Sequence, residues 1–180
     1  MFKRPPMWSQ EGNGLARAIF RISDRLDVLY LELARGISPT TYVDTWNECR
    51  HELDELQSSV ADLNSRVRLI TNVTEVTYRT CILQLITCVD MQIMGCWISV
   101  RANDEFEEEI AARCFELSRQ TSAAYANAIR MVTRKKVDAE MQDVILREFV
   151  KSFREELLPV KTEGDALIVK MEAENRMPNA

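Results

Sequence analysis

Nine apolar residues, Tyr42, Trp46, Cys49, Leu53, Leu56, Val60, Leu63, Val67 and Ile70, follow one another at alternating steps of four and three without a slip. That alternation is the period of one helix packing along another, as in a coiled coil. A helix of roughly 30 residues is about 45 Å long at 1.5 Å per residue. Such a rod cannot bury its stripe alone, so the run demands further helices and points to a bundle. Gly36 stops the preceding helix, Ser38 is a candidate cap and Pro39 suits a first helical position, with Thr41 and Asp44 as a capping pair at the start of the run.

The rest of the chain supplies those helices. From Leu15 the residues Leu15, Ile19, Ile22, Leu26, Leu29 and Leu33 repeat the same steps, with Phe20, Val28 and Leu31 widening the stripe. A fourth segment opens at Asn103 or Asp104, carries Glu105, Glu107, Glu108 and Glu109 in its first turns, and closes at Arg134 to Lys136. Acid at the start and base at the end suit the helix dipole, and the glutamates read as a solvated first turn. Its inward face reads Phe106, Ile110, Cys114, Leu117, Thr121, Ala124, Ala128 and Met131. A fifth helix runs from about Asp138 to Leu158, with Leu146, Val150, Phe153 and Leu157 on one stripe and Pro159 as its stop. With five Gly and five Pro in 180 residues there is little to interrupt these elements.

The stretch from Cys81 to Val100 is apolar all round and holds one formal charge, Asp90. Its length of about 20 residues suits a bilayer. A carboxylate at the midpoint costs about 2.5–3.5 kcal/mol on insertion, and the amphipathic helices around it need an apolar partner surface. The reading is therefore the core of a bundle. A buried carboxylate is held by a neighbouring Arg, Tyr or Trp, or else acts as an interior switch or binding residue.

The fold class expected is all-α: five to six mostly antiparallel amphipathic helices around a hydrophobic central helix at about 74–101. The expected organisation is an N-terminal arm at 1–13, flexible or docking, a single bundle domain at 14–160, and a short helix with a frayed tail at 161–180.

Catalytic and metal chemistry find little footing. His51 is the single histidine, and Glu48-Cys49-Arg50-His51 supplies only one of the two Glu-x-x-His motifs a di-iron bundle needs. Cys49 and His51 point to nearly opposite sides of a helix, so they form no dyad. Cys81, Cys88 and Cys96 step about 10–12 Å along one face, too far apart for one metal about 2.3 Å from each sulfur. There is no Gly-rich phosphate loop, Ser elbow or Cys-x-x-Cys pair. The net charge of −5 argues against a nucleic-acid surface. Five cysteines within helical patterns, with no apolar run behind the basic N-terminus, suggest an intracellular, reducing compartment.

The function expected is thus non-enzymatic and without cofactor: protein–protein interaction or self-assembly, as adaptor, scaffold or structural component. Candidate partner-binding residues are Phe2, Met7 and Trp8 on the arm, and Tyr42 and Trp46 on the long stripe; Asp90 is the candidate buried polar switch. The alternative is a membrane-active or groove-binding bundle that uses its central helix. A third reading is small-molecule binding inside the bundle around Asp90, Tyr78 and Trp97.

Overall fold

The computed structural model describes residues 7–33, 35, 39–67, 72–134 and 136–176, and all regular structure among them is helical. The elements are α1 (Trp8–Leu33), α2 (Pro39–Arg66), α3 (Val73–Ser99), α4 (Glu105–Thr133), α5 (Ala139–Ser152) and α6 (Leu158–Ala173), with a π turn (Phe153–Leu157) joining the last two into one rod. The protein is an all-α bundle, and α3 is its hub, touching α1, α2, α4, α5 and α6. Contacts give the directions. Trp46 and Arg50 of α2 meet Ile93 and Asp90 of α3, so these two run antiparallel. Glycine 12 of α1 meets Tyr78 of α3, while Gly95 of α3 meets Ala111 of α4. Hence α1 lies parallel to α3, and α4 antiparallel.

The long stripe of α2 faces inward: Tyr42, Cys49, Leu53, Val60 and Leu63 are buried, and Trp46, Leu56 and Val67 pack at its margin. Pro39 opens this helix, so Thr41 and Asp44 lie inside it and are not its capping pair. Gly36, Ser38 and Ile70 lie outside the described residues. The starts of α3, α4 and α5 carry Asx caps: Asn72 accepts from the Glu75 amide (2.9 Å), Asp104 from Glu107 (2.9 Å) and Asp138 from Met141 (2.8 Å).

The hub resolves the apolar stretch. The most apolar 18-residue window of α3 has a mean hydropathy of 1.6, enough by length and composition to cross a bilayer, and 78% of that window is buried among the other helices.

Five expectations are corrected. Helix α1 begins at Trp8, so residues 8–13 belong to the bundle and not to an arm; Trp8 is fully buried, and Gly12 lets α1 approach the ring of Tyr78. On α1, Val28 and Leu31 do not widen the buried stripe, being 55% and 59% exposed. On α4 the expected Ile110, Cys114 and Ala128 are buried, but the inward face is turned by about one residue, leaving Phe106 62% exposed and burying Glu107, Ala111, Phe115, Ser118 and Ser122 as well. The reason is close approach. A Cβ on Gly95 would stand 2.8 Å from the Ala111 carbonyl oxygen, so the α3–α4 seam takes small and polar residues that an apolar count passes over. Ser118 is tolerated there because its hydroxyl donates back to the Cys114 carbonyl (2.6 Å). Of the expected α5 stripe, only Leu157 is buried, while Leu146, Val150 and Phe153 remain half-exposed.

Lastly, Pro159 does not stop the rod. The Leu158 amide bonds back to the Phe153 carbonyl across the wide turn, and Pro159 then occupies the first turn of α6. Helix α6 consequently starts before 161 and packs through Val160, Gly164, Leu167 and Met171.

Candidate functional site

Positions 83, 87, 90, 94 and 97 of α3 fall four and three apart and so share one line along the helix. This is the side of the hub that its neighbours cover least: Leu83 is exposed, and Thr87, Asp90 and Trp97 are half-buried. Asp90 is accordingly not in a dry centre, its side chain being 20% exposed. Its Oδ1 accepts from Arg50 of α2 (2.7 Å), and its Oδ2 lies 3.4 Å from Lys161 Nζ of α6. Both cations are shared, Arg50 with Asp54 (3.3 Å) and Lys161 with Asp165 (2.9 Å).

A cleft of about 300 Å³ opens here between α2, α3 and α6, walled by Trp46, Ile93 and Trp97 and rimmed by Arg50, Asp90, Asp165 and Glu172. The Trp46 Nε1–H donates to the Ile93 carbonyl (3.0 Å), which fixes that indole on α3 although the residue belongs to α2. Trp97 carries the guanidinium of Arg101, 4.1 Å from its ring centroid. Four carboxylates, of Asp54, Asp90, Asp165 and Glu172, gather around three cations, Arg50, Lys161 and Arg101. The cleft is therefore aromatic and anionic together, which suits a cationic group.

Of the residues singled out from sequence, Trp46 and Asp90 meet in this cleft, with Trp97 beside them. Tyr78 does not. It is buried further along α3, with its hydroxyl against Thr133 of α4. Trp8 and Tyr42 are core residues, with no surface to offer a partner. Met7 is half-buried just ahead of α1, its carbonyl accepting from the Gln10 and Glu11 amides (both 3.1 Å). Phe2 lies outside the described residues. Asp165 and Glu172 escaped the sequence reading because their stretch carried no recognised pattern; their seven-residue spacing on one helix face was the signal available.

The nucleophiles are elsewhere and unactivated. All five cysteines are buried and unpaired. Burial pushes the thiols of Cys81, Cys88 and Cys114 up to about 12, and raises Cys49 and Cys96 as well. His51 stands in solvent beside Glu55 (3.5 Å). One glutamate was misjudged from sequence: Glu107 is 1% exposed, not solvated. It accepts from the Asn103 amide (3.0 Å) and holds Lys170 (3.1 Å) and Arg176 (2.5 Å) from the end of the chain. Chiefly because of Arg176, its carboxyl is held down at about 2.

No protein-family model, curated protein or solved structure matches this chain.

Proposed function

We propose that the chain is a non-enzymatic binding protein whose cleft between α2, α3 and α6 receives a cationic side chain, arginine or lysine, of a protein partner. The observation that carries this reading is the pair of half-buried indoles, Trp46 and Trp97, set among carboxylates that outnumber the local cations. Tryptophan is the residue most often found to dominate interface energy, and an incoming guanidinium would take the place that Arg101 holds over the Trp97 ring and gain a carboxylate beside it. Glu172 is the natural acceptor, since Asp90 and Asp165 hold cations at ion-pair distance while Glu172 feels only the longer-range charge of Arg101. The buried, raised thiols support a role without covalent chemistry, and their unpaired state supports a reducing compartment.

The chain's three tryptophans make the test direct, because Trp8 is fully buried and the other two line the cleft. Emission is followed while an arginine-rich helical peptide, or its glutamate-substituted counterpart, is added. The reading expects a response to the arginine peptide alone, weakened at least about tenfold (about 1.4 kcal/mol) by Trp97→Phe or Glu172→Gln. Equal responses to both peptides, or none, would rule it out. If a second copy supplies the cation, the same substitutions lower the mass measured by light scattering.

The membrane-active alternative draws support from the length and hydropathy of α3, and loses support from the helices that cover most of its apolar window.

A further inference from the structure

Helices α1 and α4 both rest on α3 but meet each other unevenly. Near one end Tyr30 stacks on Phe115, ring centroids 3.9 Å apart. Toward the other end, residues 13–20 of α1 and 126–134 at the close of α4 leave a cleft of about 570 Å³. Its walls include Ala16, Phe20 and Ile129, and three guanidiniums border it: Arg17 from α1, Arg130 from α4, and Arg134 from the residue that follows α4.

None of the three has a carboxylate within ion-pair distance among the described residues. Arg17 Nε donates to the Asn13 carbonyl (3.2 Å), and Arg130 donates to the Asn127 side-chain oxygen (2.6 Å). In a chain of net charge −5 this is a local concentration of unmatched positive charge over apolar surface. The dipole of α4 favours cations at its C-terminal end and so explains Arg130 and Arg134. It does not explain Arg17, which stands in the first half of a different helix.

We propose that this cleft binds a monomeric amphipathic anion, a carboxylate or phosphate head on an apolar body. Guanidinium presents paired N–H donors that match either head group. The volume lies within the range of about 300–1,000 Å³ typical of small-molecule sites, with few polar groups around an apolar lining. The site is separate from the anionic cleft in helices, charge and ligand, and stands whether or not that reading holds.

Titration calorimetry on the full chain tests it with dodecyl phosphate, kept below the concentration at which it self-associates. Inorganic phosphate, dodecyltrimethylammonium and phosphatidylserine vesicles are the comparison arms. Dodecyl phosphate is expected to bind, inorganic phosphate at least about tenfold more weakly, and the cationic amphiphile not measurably. The double substitution Arg17→Gln/Arg130→Gln is expected to weaken binding at least about tenfold with the thermal midpoint unchanged. Ala126→Trp, which fills the cleft without touching charge, should do the same, whereas Arg147→Gln on α5 should leave binding intact. The proposal is overturned if dodecyl phosphate fails to bind, if the cationic amphiphile binds equally well, or if the double variant binds as the native chain does. Binding to vesicles without binding of the monomer would replace it with a membrane surface.

Discussion

The carboxylate of Glu107, in the first turn of α4, lies 2.5 Å from the guanidinium of Arg176, 69 positions later in the chain. Lys170 joins them from the last turn of α6. The contact fastens the end of the described chain to the start of the helix that forms the largest seam with the hub.

Acid should loosen that fastening. The Glu107 carboxyl is lowered to about 2 from an ordinary value of 4.5. A group whose folded value is depressed adds stability that is complete above its unfolded value and lost as pH falls toward the folded one. Its contribution is thus present above pH 4.5 and fades between there and about pH 2. Glu107→Gln is expected to cost on the order of 2–3 kcal/mol at neutral pH and to flatten the acid limb of stability measured by denaturant titration. An acid limb as steep as the native one would refute this role.

Two glycines should respond in opposite directions to alanine. At Gly95 the added methyl meets the backbone of α4, 2.8 Å from the Ala111 carbonyl and 3.1 Å from the Phe115 amide nitrogen. Backbone cannot step aside, so Gly95→Ala should destabilise by about 1–3 kcal/mol through overpacking. At Gly14 nothing lies within 4 Å. Gly14→Ala should therefore stabilise by about 0.5–1 kcal/mol, the ordinary helix preference. Thermal midpoints of the two variants report both signs.

Asp90→Asn removes the charge that Arg50 and Lys161 share, and each cation keeps a second carboxylate, Asp54 and Asp165 respectively. The expected loss is therefore modest, about 1 kcal/mol, with the helical content retained by circular dichroism. A loss several times larger would mean that Asp90 holds the three helices together.

The thiols should be silent while the protein is folded. With Cys81, Cys88 and Cys114 pushed up to about 12 by burial, the reactive thiolate is scarce and enclosed at pH 8. Iodoacetamide labelling followed by mass spectrometry is expected to track global unfolding at each of the five cysteines. Rapid labelling of one cysteine in native buffer would reveal an opening local to its helix.

Helix number was legible because apolar spacing reports directly on which face is removed from water, as the runs from Tyr42 to Leu63 and from Ile19 to Leu29 demonstrate, and the hub because its stretch is apolar all round. The α4 face was legible only in part: Ile110, Cys114 and Ala128 are buried as expected, but Gly95 brings the α3 backbone against Ala111 and Phe115, which the apolar count had not placed inward. Glu107 looked like its exposed neighbours Glu105, Glu108 and Glu109, since nothing local foretells a partner 69 residues away. Half of the anionic cleft was visible as Trp46 and Asp90. The other half depends on α6 and on where the rod that carries it points, which is a three-dimensional fact.

That direction is set by the turn at Phe153–Leu157. A π turn accommodates about one residue more than an α turn, and one residue is about 100° of rotation. Phe149 ahead of it meets the edge of Tyr125, while Gly164 beyond it abuts Met94 and Cys114. In a uniform α-helix an extra residue would turn everything after it by that angle, whereas the wide turn takes it up within one turn. Removing a single residue from 153–157 is therefore expected to leave uniform helix with Lys161 still facing Asp90 and Glu172 still at the cleft. The turn is thus slack in the rod, a place where chain length can change by one without changing the address of any side chain downstream.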